Sequence, residues 1–275
     1  MSRRKYTIDE KRATKFVKEG RGQGEGAEYK PWLTIQDVPS CGRSHRVRGN
    51  STGRIHHLLS DIEYDLFLLL DWQTSTVDLR EQFPLDRDAT LDIAGRLHVR
   101  HPRAVPTAEP MVMTTDLVQD LRVGNGVETR AYAVKTAKDL EKPRVLQKLE
   151  IEWRYWQEQG TPWSIVTRNE LPHRLIGNIG WVRDFSCSDG IEDRSLALIP
   201  LFLDEIAARP QVSLGGFCSN MDMRNSLQPG SSLQLLRHLL ATRRVICDME
   251  QDVLNYQLSL SALTVQKQDQ VRRTA

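Results

Sequence analysis

The sequence predicts an α/β fold in two domains, a mixed sheet flanked by helices and then a mainly helical domain. The length of 275 residues favours two domains, since one domain usually takes ~150 residues. Two β-like segments meet at Gly124-Asn-Gly126, a strong hairpin signal. A long helical segment then leads to another β-like segment, and such crossovers join parallel strands. A hairpin followed by a helix and a parallel strand is an α/β arrangement.

The N-terminal elements follow from periodicity and from breaker residues. A helix is predicted at 6–18, ended by a glycine-rich loop at 20–26 that has neither a preceding strand nor a following GK[ST], so nucleotide binding is not favoured. Segments 46–48 and 54–56 flank a turn at 49–53 and predict a hairpin that carries Arg and His. A helix at 60–72, with Ser60 or Asp61 as N-cap, places Glu63 in its first turn.

The remaining segments complete the two domains. Residues 75–83 predict a strand stopped by Pro84, 111–121 and 127–135 the hairpin strands, 140–159 a helix, and 163–167 the parallel strand. The first domain is expected to span 1–170. Beyond it, helices are predicted at 193–208, 216–226 and 231–243, with β-like segments at 244–247 and 253–260. Helices followed by a two-stranded wing predict a winged-helix domain over 171–265, which binds DNA or protein, and a disordered tail at 266–275.

Composition excludes several classes of protein. A hydrophobic fraction of 39%, a charged fraction of 27% and a negative mean hydropathy indicate an ordinary globular protein. No run approaches the ~18 apolar residues of a membrane span, and the N-terminus lacks a secretory apolar core, so we expect a cytoplasmic protein without a membrane partner. The cysteines have no zinc-ligand spacing and are interpreted as free thiols: Cys41, Cys187, Cys218 and Cys247.

The net charge of +2 conceals an excess of basic residues within residues 1–58. Such an excess suits a phosphate backbone, because neutralising phosphates releases counterions. The candidate DNA contacts are Arg43, Arg46, Arg48, Arg54, His56 and His57. His56 and His57 are adjacent and would point to opposite faces of a strand, which favours phosphate or loop contacts over a shared metal. A solvated basic surface without a ligand is the alternative.

The predicted hairpin also brings two chemically useful residues together. Symmetric pairing about Gly124-Asn-Gly126 sets Asp116 opposite Ala133 or Val134. Lys135 can then lie on the same face, a short distance along the strand. A carboxylate can bind Mg²⁺, and a nearby lysine can orient a water and neutralise charge on a phosphate. The alternative is that Asp116 caps a turn or pairs with a surface cation.

Five motifs resemble the TnsA family, one half of a two-protein transposase in bacterial cut-and-paste elements. They are KEGRGQG at 18–24, PWLTIQDVPSCGRSHR at 31–46, TGRIHHLLSDIE at 52–63, DLREQFPL at 78–85 and QKLEIEWRYWQEQGTPW at 147–163. The similarity is dense from about residue 18 to 163 and weaker beyond. It implies a restriction-endonuclease-like catalytic domain followed by a winged-helix domain.

The resemblance also assigns roles to residues. The family's helix glutamate falls on Glu63, its metal-binding aspartate on Asp116, its catalytic lysine on Lys135, and a further acidic position on Glu152. This sequence departs from the family at Ala133, where TnsA proteins have a glutamine and the wider fold an acidic residue. The implied metal is Mg²⁺, with Mn²⁺ as an alternative, held by Glu63, Asp116 and a backbone carbonyl near Val134.

The resemblance implies an endonuclease that makes the 5′-strand cuts at transposon-end DNA. The implied partners are a TnsB-type transposase, which cuts and joins the other strand, and a TnsC-type ATPase regulator, which binds the C-terminal region. Two rivals stay open. A restriction or repair nuclease on the same fold would cleave DNA without a transposase, and a catalytically inactive adaptor is suggested by Ala133.

Overall fold

The computed structural model describes residues 8–38, 43–208 and 210–266, in which the chain forms two compact units. Unit 1 is Met1–Leu171 and unit 2 is Pro172–Ala275. Cys41, the start of the predicted helix at 6–18 and residues 267–275 of the predicted tail lie outside the described residues. Within those ranges, the structure has no helix long and apolar enough to cross a membrane.

The described part of unit 1 contains a small hairpin, a four-stranded sheet and five helices. In chain order these are α1 (Glu10–Lys18), β1 (His45–Arg48), β2 (Ile55–Leu58), α2 (Asp61–Asp71), β3 (Thr76–Pro84), α3 (Arg87–Arg96), β4 (Thr114–Val123), β5 (Gly126–Val134), α4 (Ala137–Leu140), α5 (Pro143–Glu158) and β6 (Trp163–Val166). Strands β1 and β2 are antiparallel, which confirms the predicted hairpin.

The sheet has the order β3-β4-β5-β6, with the first three strands antiparallel and β6 parallel to β5. Helix α2 packs against β3 and β4. Val118 and Ala131 of the sheet form a core with Ile93 of α3 and with Ile151 and Trp156 of α5. A mixed sheet flanked by helices is therefore present, as the sequence predicts.

The turn between β4 and β5 sets the register in which these two strands pair. Gly124 has a φ of +58°, a left-handed conformation that glycine adopts without steric cost. Pairing runs from Val123 with Gly126 to Leu117 with Tyr132. The same register continued by one residue sets Asp116 opposite Ala133, one of the two predicted positions.

Two features of unit 1 differ from expectation. Helix α3 lies in a segment to which the sequence analysis assigned no element. The predicted helix at 140–159 corresponds to α5 and begins a little later, at Pro143, which has no N–H to continue α4 and occupies the first turn of α5; the short helix α4 before it was not predicted.

The described part of unit 2 is mainly helical. Its elements are α6 (His173–Val182), α7 (Asp193–Ala197), α8 (Ile199–Ala208), α9 (Leu214–Arg224), α10 (Ser231–Ala241), β7 (Val245–Ile246) and β8 (Thr264–Val265). Helix α6 was not anticipated, and the predicted helix at 193–208 is divided into α7 and α8. Pro200 lies in the first turn of α8, where proline is well accommodated.

The prediction of a strand at 253–260 was wrong. The side chain of Asn255 accepts hydrogen bonds from the backbone N–H groups of Gln257 and Leu258, which turns the chain there. Strand β7 pairs instead with β8, over two residues each. The winged-helix identity of unit 2 stays a prediction.

Candidate active site

The N-terminus of α2 orients Glu63. Ser60 is the N-cap, and its hydroxyl accepts a hydrogen bond from the Glu63 N–H at 3.1 Å. The same hydroxyl donates to Glu63 Oε1 at 3.0 Å, and the Leu59 N–H donates to Oε2 at 2.9 Å. This reciprocal cap holds the buried carboxylate in one orientation.

Asp116 and Lys135 lie where the ends of β4 and β5 meet. Oδ2 of Asp116 accepts hydrogen bonds from the Val134 N–H and from Nζ of Lys135, both at 2.7 Å. Nζ of Lys135 also lies 2.7 Å from the carbonyl oxygen of Val134. The ammonium group therefore bridges Asp116 and the Val134 carbonyl, two of the oxygen donors expected at the metal.

Glu152 is buried on α5 and contacts neighbouring strands. Its Oε1 accepts hydrogen bonds from Oγ1 of Thr115 at 2.8 Å and from Nε1 of Trp163 at 3.1 Å. Nε1 of Trp156 donates to the same Thr115 hydroxyl at 2.7 Å. Glu152 thus ties α5 to β6 and to the residue next to Asp116.

The four charged groups influence one another strongly. Burial raises the pKa of Glu63, and the negative charge of Asp116 raises it further. Burial also raises the pKa of Glu152 to about 7, with a further contribution from Asp116. Burial alone would lower the pKa of Lys135, but the carboxylates of Asp116, Glu152 and Glu63 outweigh it and raise the pKa. The acidic neighbours therefore favour the charged form of Lys135, which lies against Asp116.

The donor set suits a hard divalent cation. Carboxylate oxygens of Glu63 and Asp116 and the Val134 carbonyl are the ligand types that Mg²⁺ and Mn²⁺ prefer. Among the described residues, no group of three or more His, Cys, Asp or Glu side chains forms a metal site. Ala133, fully buried opposite Asp116, offers only a methyl group. Two carboxylates and a carbonyl are therefore compatible with an ion that keeps several water ligands.

Comparisons with known proteins find similar sequences along most of the chain. A family model described as "TnsA-like endonuclease N terminal" matches residues 73–168, and one described as "TnsA endonuclease C terminal" matches residues 170–249. The chain is 39% identical over 241 residues to "Transposon Tn7 transposition protein TnsA" of Escherichia coli, covering 88% of this chain and 87% of that protein. The chain belongs to the TnsA endonuclease family. Nuclease families of this kind use a divalent metal ion, which the oxygen donors described above can accommodate.

Three of the residues predicted to contact DNA in this TnsA-family chain lie on the surface. Arg43, Arg46 and Arg48 are exposed, and the last two lie on one face of β1, as alternation requires. They stay candidates for phosphate contacts.

The structure instead places Arg54 and His56 in the interior. The Arg54 side chain is 8% exposed and donates to both carboxylate oxygens of Glu81, at 2.9 and 2.5 Å. His56 is 0% exposed, with one ring nitrogen 2.8 Å from Glu81 and the other 2.8 Å from Oγ1 of Thr52. The expected phosphate contacts of Arg54 and His56 are therefore corrected to a buried ion-pair network. His56 does make the loop contact that was the other expectation.

His57 lies on the other face of β2 from His56 and is half-buried, as predicted for adjacent strand residues. Burial lowers its pKa, and the charge of Glu81 only partly offsets that effect. Burial therefore disfavours the charged imidazole of His57, whose phosphate contact stays a prediction.

Three residues that contact the candidate site were not among the predicted site residues: Gln82, Thr115 and Trp163. Each contacts Asp116 or Glu152 directly. Gln82 belongs to the DLREQFPL motif and Trp163 ends the last one, so motif membership was the available signal. No local pattern marks a buried glutamine or threonine as part of a site.

Proposed function

We propose that this chain hydrolyses a phosphodiester of the 5′ strand at each transposon end, using Mg²⁺ or Mn²⁺. The observation that carries the proposal is the 2.7 Å contact between Lys135 and Asp116, beside the oriented carboxylate of Glu63. A cation held beside acidic oxygens can stabilise the negative charge that develops during phosphoryl transfer.

The residues of the site are proposed to have two kinds of role, as metal ligands and as positioning residues. Glu63, Asp116 and the Val134 carbonyl would hold the metal ion, which supplies Lewis-acid activation of a phosphoryl oxygen and of water. Glu63 keeps its orientation because Ser60 and Leu59 donate to its two oxygens. Glu152 acts as a positioning residue, since it holds Thr115 next to Asp116.

Lys135 stabilises charge that develops during the reaction. Its ammonium group is held by Asp116 and the Val134 carbonyl, so its position is set before substrate arrives. Negative charge on the phosphate oxygens increases as water attacks, and a preorganised cation stabilises that state more than the ground state. Loss of Lys135 should therefore slow cleavage more than it weakens DNA binding.

The biological setting is DNA transposition with partners. The relative in Escherichia coli is named a Tn7 transposition protein, and we propose the same process for this chain. The partners proposed are a TnsB-type transposase and a TnsC-type ATPase regulator, the latter engaging the C-terminal domain. Exposed Arg43, Arg46 and Arg48 would contact the DNA backbone.

The test is strand-resolved cleavage of labelled duplexes that carry both ends of the element, with the partner proteins and Mg²⁺. Asp116→Ala and Lys135→Ala should leave the 5′ strand uncut while DNA binding persists. Asp120→Ala, on the same strand but paired with Arg80, and Lys142→Ala, an exposed lysine paired with Asp139, are the matched controls and should cleave normally. Wild-type cleavage by both site variants would refute the assignment.

A catalytically inactive adaptor is the second candidate, favoured by one observation. Ala133 supplies no ligand, and the described residues contain no third carboxylate arranged with the other two. The adaptor predicts that wild-type protein joins the partner complex yet leaves the 5′ strand intact in Mg²⁺ and in Mn²⁺. Cleavage by the chain without any transposase would instead favour a restriction or repair nuclease.

A further inference from the structure

Gln82 has an unusual backbone in the middle of a strand. Its φ is +47°, in the left-handed region that residues other than glycine seldom adopt. Pairing continues on both sides, with Glu81 opposite Leu117 and Phe83 opposite Thr115. The chain thus leaves regular strand geometry at one residue and returns at the next. Such conformations persist where the surrounding structure imposes them, and they cluster at functional sites.

Contacts of the Gln82 carbonyl and side chain hold its backbone in this left-handed conformation. The carbonyl of Gln82 accepts a hydrogen bond from the Trp32 N–H at 3.2 Å, outside the sheet. The side chain is turned toward β4, where Oε1 accepts from Oγ1 of Thr114 at 3.1 Å and Nε2 lies 3.4 Å from Oδ1 of Asp116. Only 3% of the residue is exposed, so the amide has little freedom to leave these partners.

The sheet register places Gln82 beside Asp116. Gln82 falls opposite Asp116 on one side, because its neighbours on β3 pair with the neighbours of Asp116. Ala133 falls opposite Asp116 on the other side. Asp116 therefore lies between an amide on β3 and a methyl group on β5. Its Oδ2 is held by Val134 and Lys135, and its Oδ1 faces Gln82.

We propose that Gln82 is a positioning residue of the metal site: its amide orients Oδ1 of Asp116 and thereby sets the affinity for the divalent cation. The inference rests on the proposed function, since it assigns the metal to Asp116. A buried residue that only filled space would not require a polar amide or a left-handed backbone. Partners that orient a metal ligand typically contribute 10- to 100-fold to metal affinity.

The experiment measures metal binding, without DNA and without turnover. Mn²⁺ is titrated into full-length protein and the free ion is followed by electron paramagnetic resonance. The variants are Gln82→Gly and Gln82→Asn, because glycine and asparagine both tolerate a positive φ, glycine has no amide, and the asparagine amide is one methylene group shorter than the contact with Asp116 needs. Gln119→Asn is the matched control, since Gln119 is a buried amide of the same sheet that contacts Gln73, Thr76 and Tyr132.

We expect wild type and Gln119→Asn to bind Mn²⁺ equally, and both Gln82 variants to bind at least about 10-fold more weakly. Thermal melting should show that both Gln82 variants are folded at the temperature of the titration, so that the loss is not caused by unfolding. Wild-type affinity in folded Gln82→Gly would overturn the inference and leave the proposed function intact. If wild type does not bind Mn²⁺, or if Asp116→Ala binds it equally well, both this inference and the proposed function are overturned.

Discussion

Glu81→Gln provides the sharpest test of what holds the β1–β2 hairpin on the sheet. Glu81 is fully buried on β3 and accepts hydrogen bonds from Arg54, from His56 and from the backbone N–H of His57. Glutamine has the same shape without the charge. The substitution therefore removes the ion pairs and leaves the packing of β3 in place.

The magnitude follows from the pKa of Glu81. Burial would raise it, but the hydrogen bonds and charges of Arg54 and His56 outweigh burial and lower it from 4.5 to about 2. One pKa unit corresponds to about 1.4 kcal/mol, so the ionised carboxylate stabilises the fold by about 3 kcal/mol at neutral pH. Removing one partner of a buried ion pair typically costs a similar amount.

The sign of the pH dependence is also determined. Because the folded-state pKa is lower than the unfolded one, the stabilisation is complete above pH 4.5 and is lost as the pH falls toward 2. Wild type and Glu81→Gln should therefore differ by about 3 kcal/mol at pH 7 and by about 2 kcal/mol at pH 3.5. They should converge near pH 2, where wild-type Glu81 is itself protonated.

Urea unfolding followed by tryptophan fluorescence measures this difference, since five of the six tryptophans lie in unit 1 and Trp181 alone lies beyond Leu171. Glu128→Gln is the control, because Glu128 pairs with Arg130 at the surface and exposed pairs contribute little. A difference below about 1 kcal/mol at pH 7, or one that grows on acidification, would refute the argument.

Three further predictions concern the site and the DNA surface. Cleavage should stop in EDTA and return with excess Mg²⁺ or Mn²⁺, and full activity in the chelator would exclude the metal site. Arg46→Ala should make the plot of log affinity against log salt concentration shallower by about one, and an unchanged slope would return Arg46 to the solvated surface. Ser60→Ala should lower the free energy of unfolding by about 1 kcal/mol through loss of the N-cap, and an unchanged urea midpoint would contradict that role.

Proximity of Asp116 and Lys135 was predictable because it depends on local pairing. The Gly124-Asn-Gly126 turn sets the register of β4 and β5, and the two residues are joined by that hairpin. The position of Glu63 was predictable for a similar reason, since Ser60 marks the start of α2. The pairing of Asp116 with Lys135 and the helical position of Glu63 depend on signals that span about 20 residues or fewer, whereas the expected role of Glu63 at the metal came from the family resemblance.

Contacts made by β3 were not predictable in the same way. Glu81 lies 25 residues after His56, and Gln82 lies 34 residues before Asp116, with no tight turn to fix either pairing. An arginine and a histidine on a basic hairpin suggest DNA contact until the partner carboxylate is known. Helix α3 is a different case, because it begins with a local signal: the Asp86 side chain caps its N-terminus by accepting a hydrogen bond from the Ala89 N–H.

Strand β3 links the hairpin to the site through two consecutive residues. Glu81 holds Arg54 and His56 of the hairpin, and Gln82 contacts Asp116. Both residues are buried, so β3 connects the hairpin that carries exposed Arg46 to the Asp116 carboxylate. Loosening the hairpin by Glu81→Gln should then reduce cleavage and DNA affinity while Mn²⁺ affinity is unchanged, whereas Gln82→Gly should weaken Mn²⁺ binding first. Equal loss of Mn²⁺ affinity in the two variants would mean that Glu81 and Gln82 support the metal site together and do not have these separate roles.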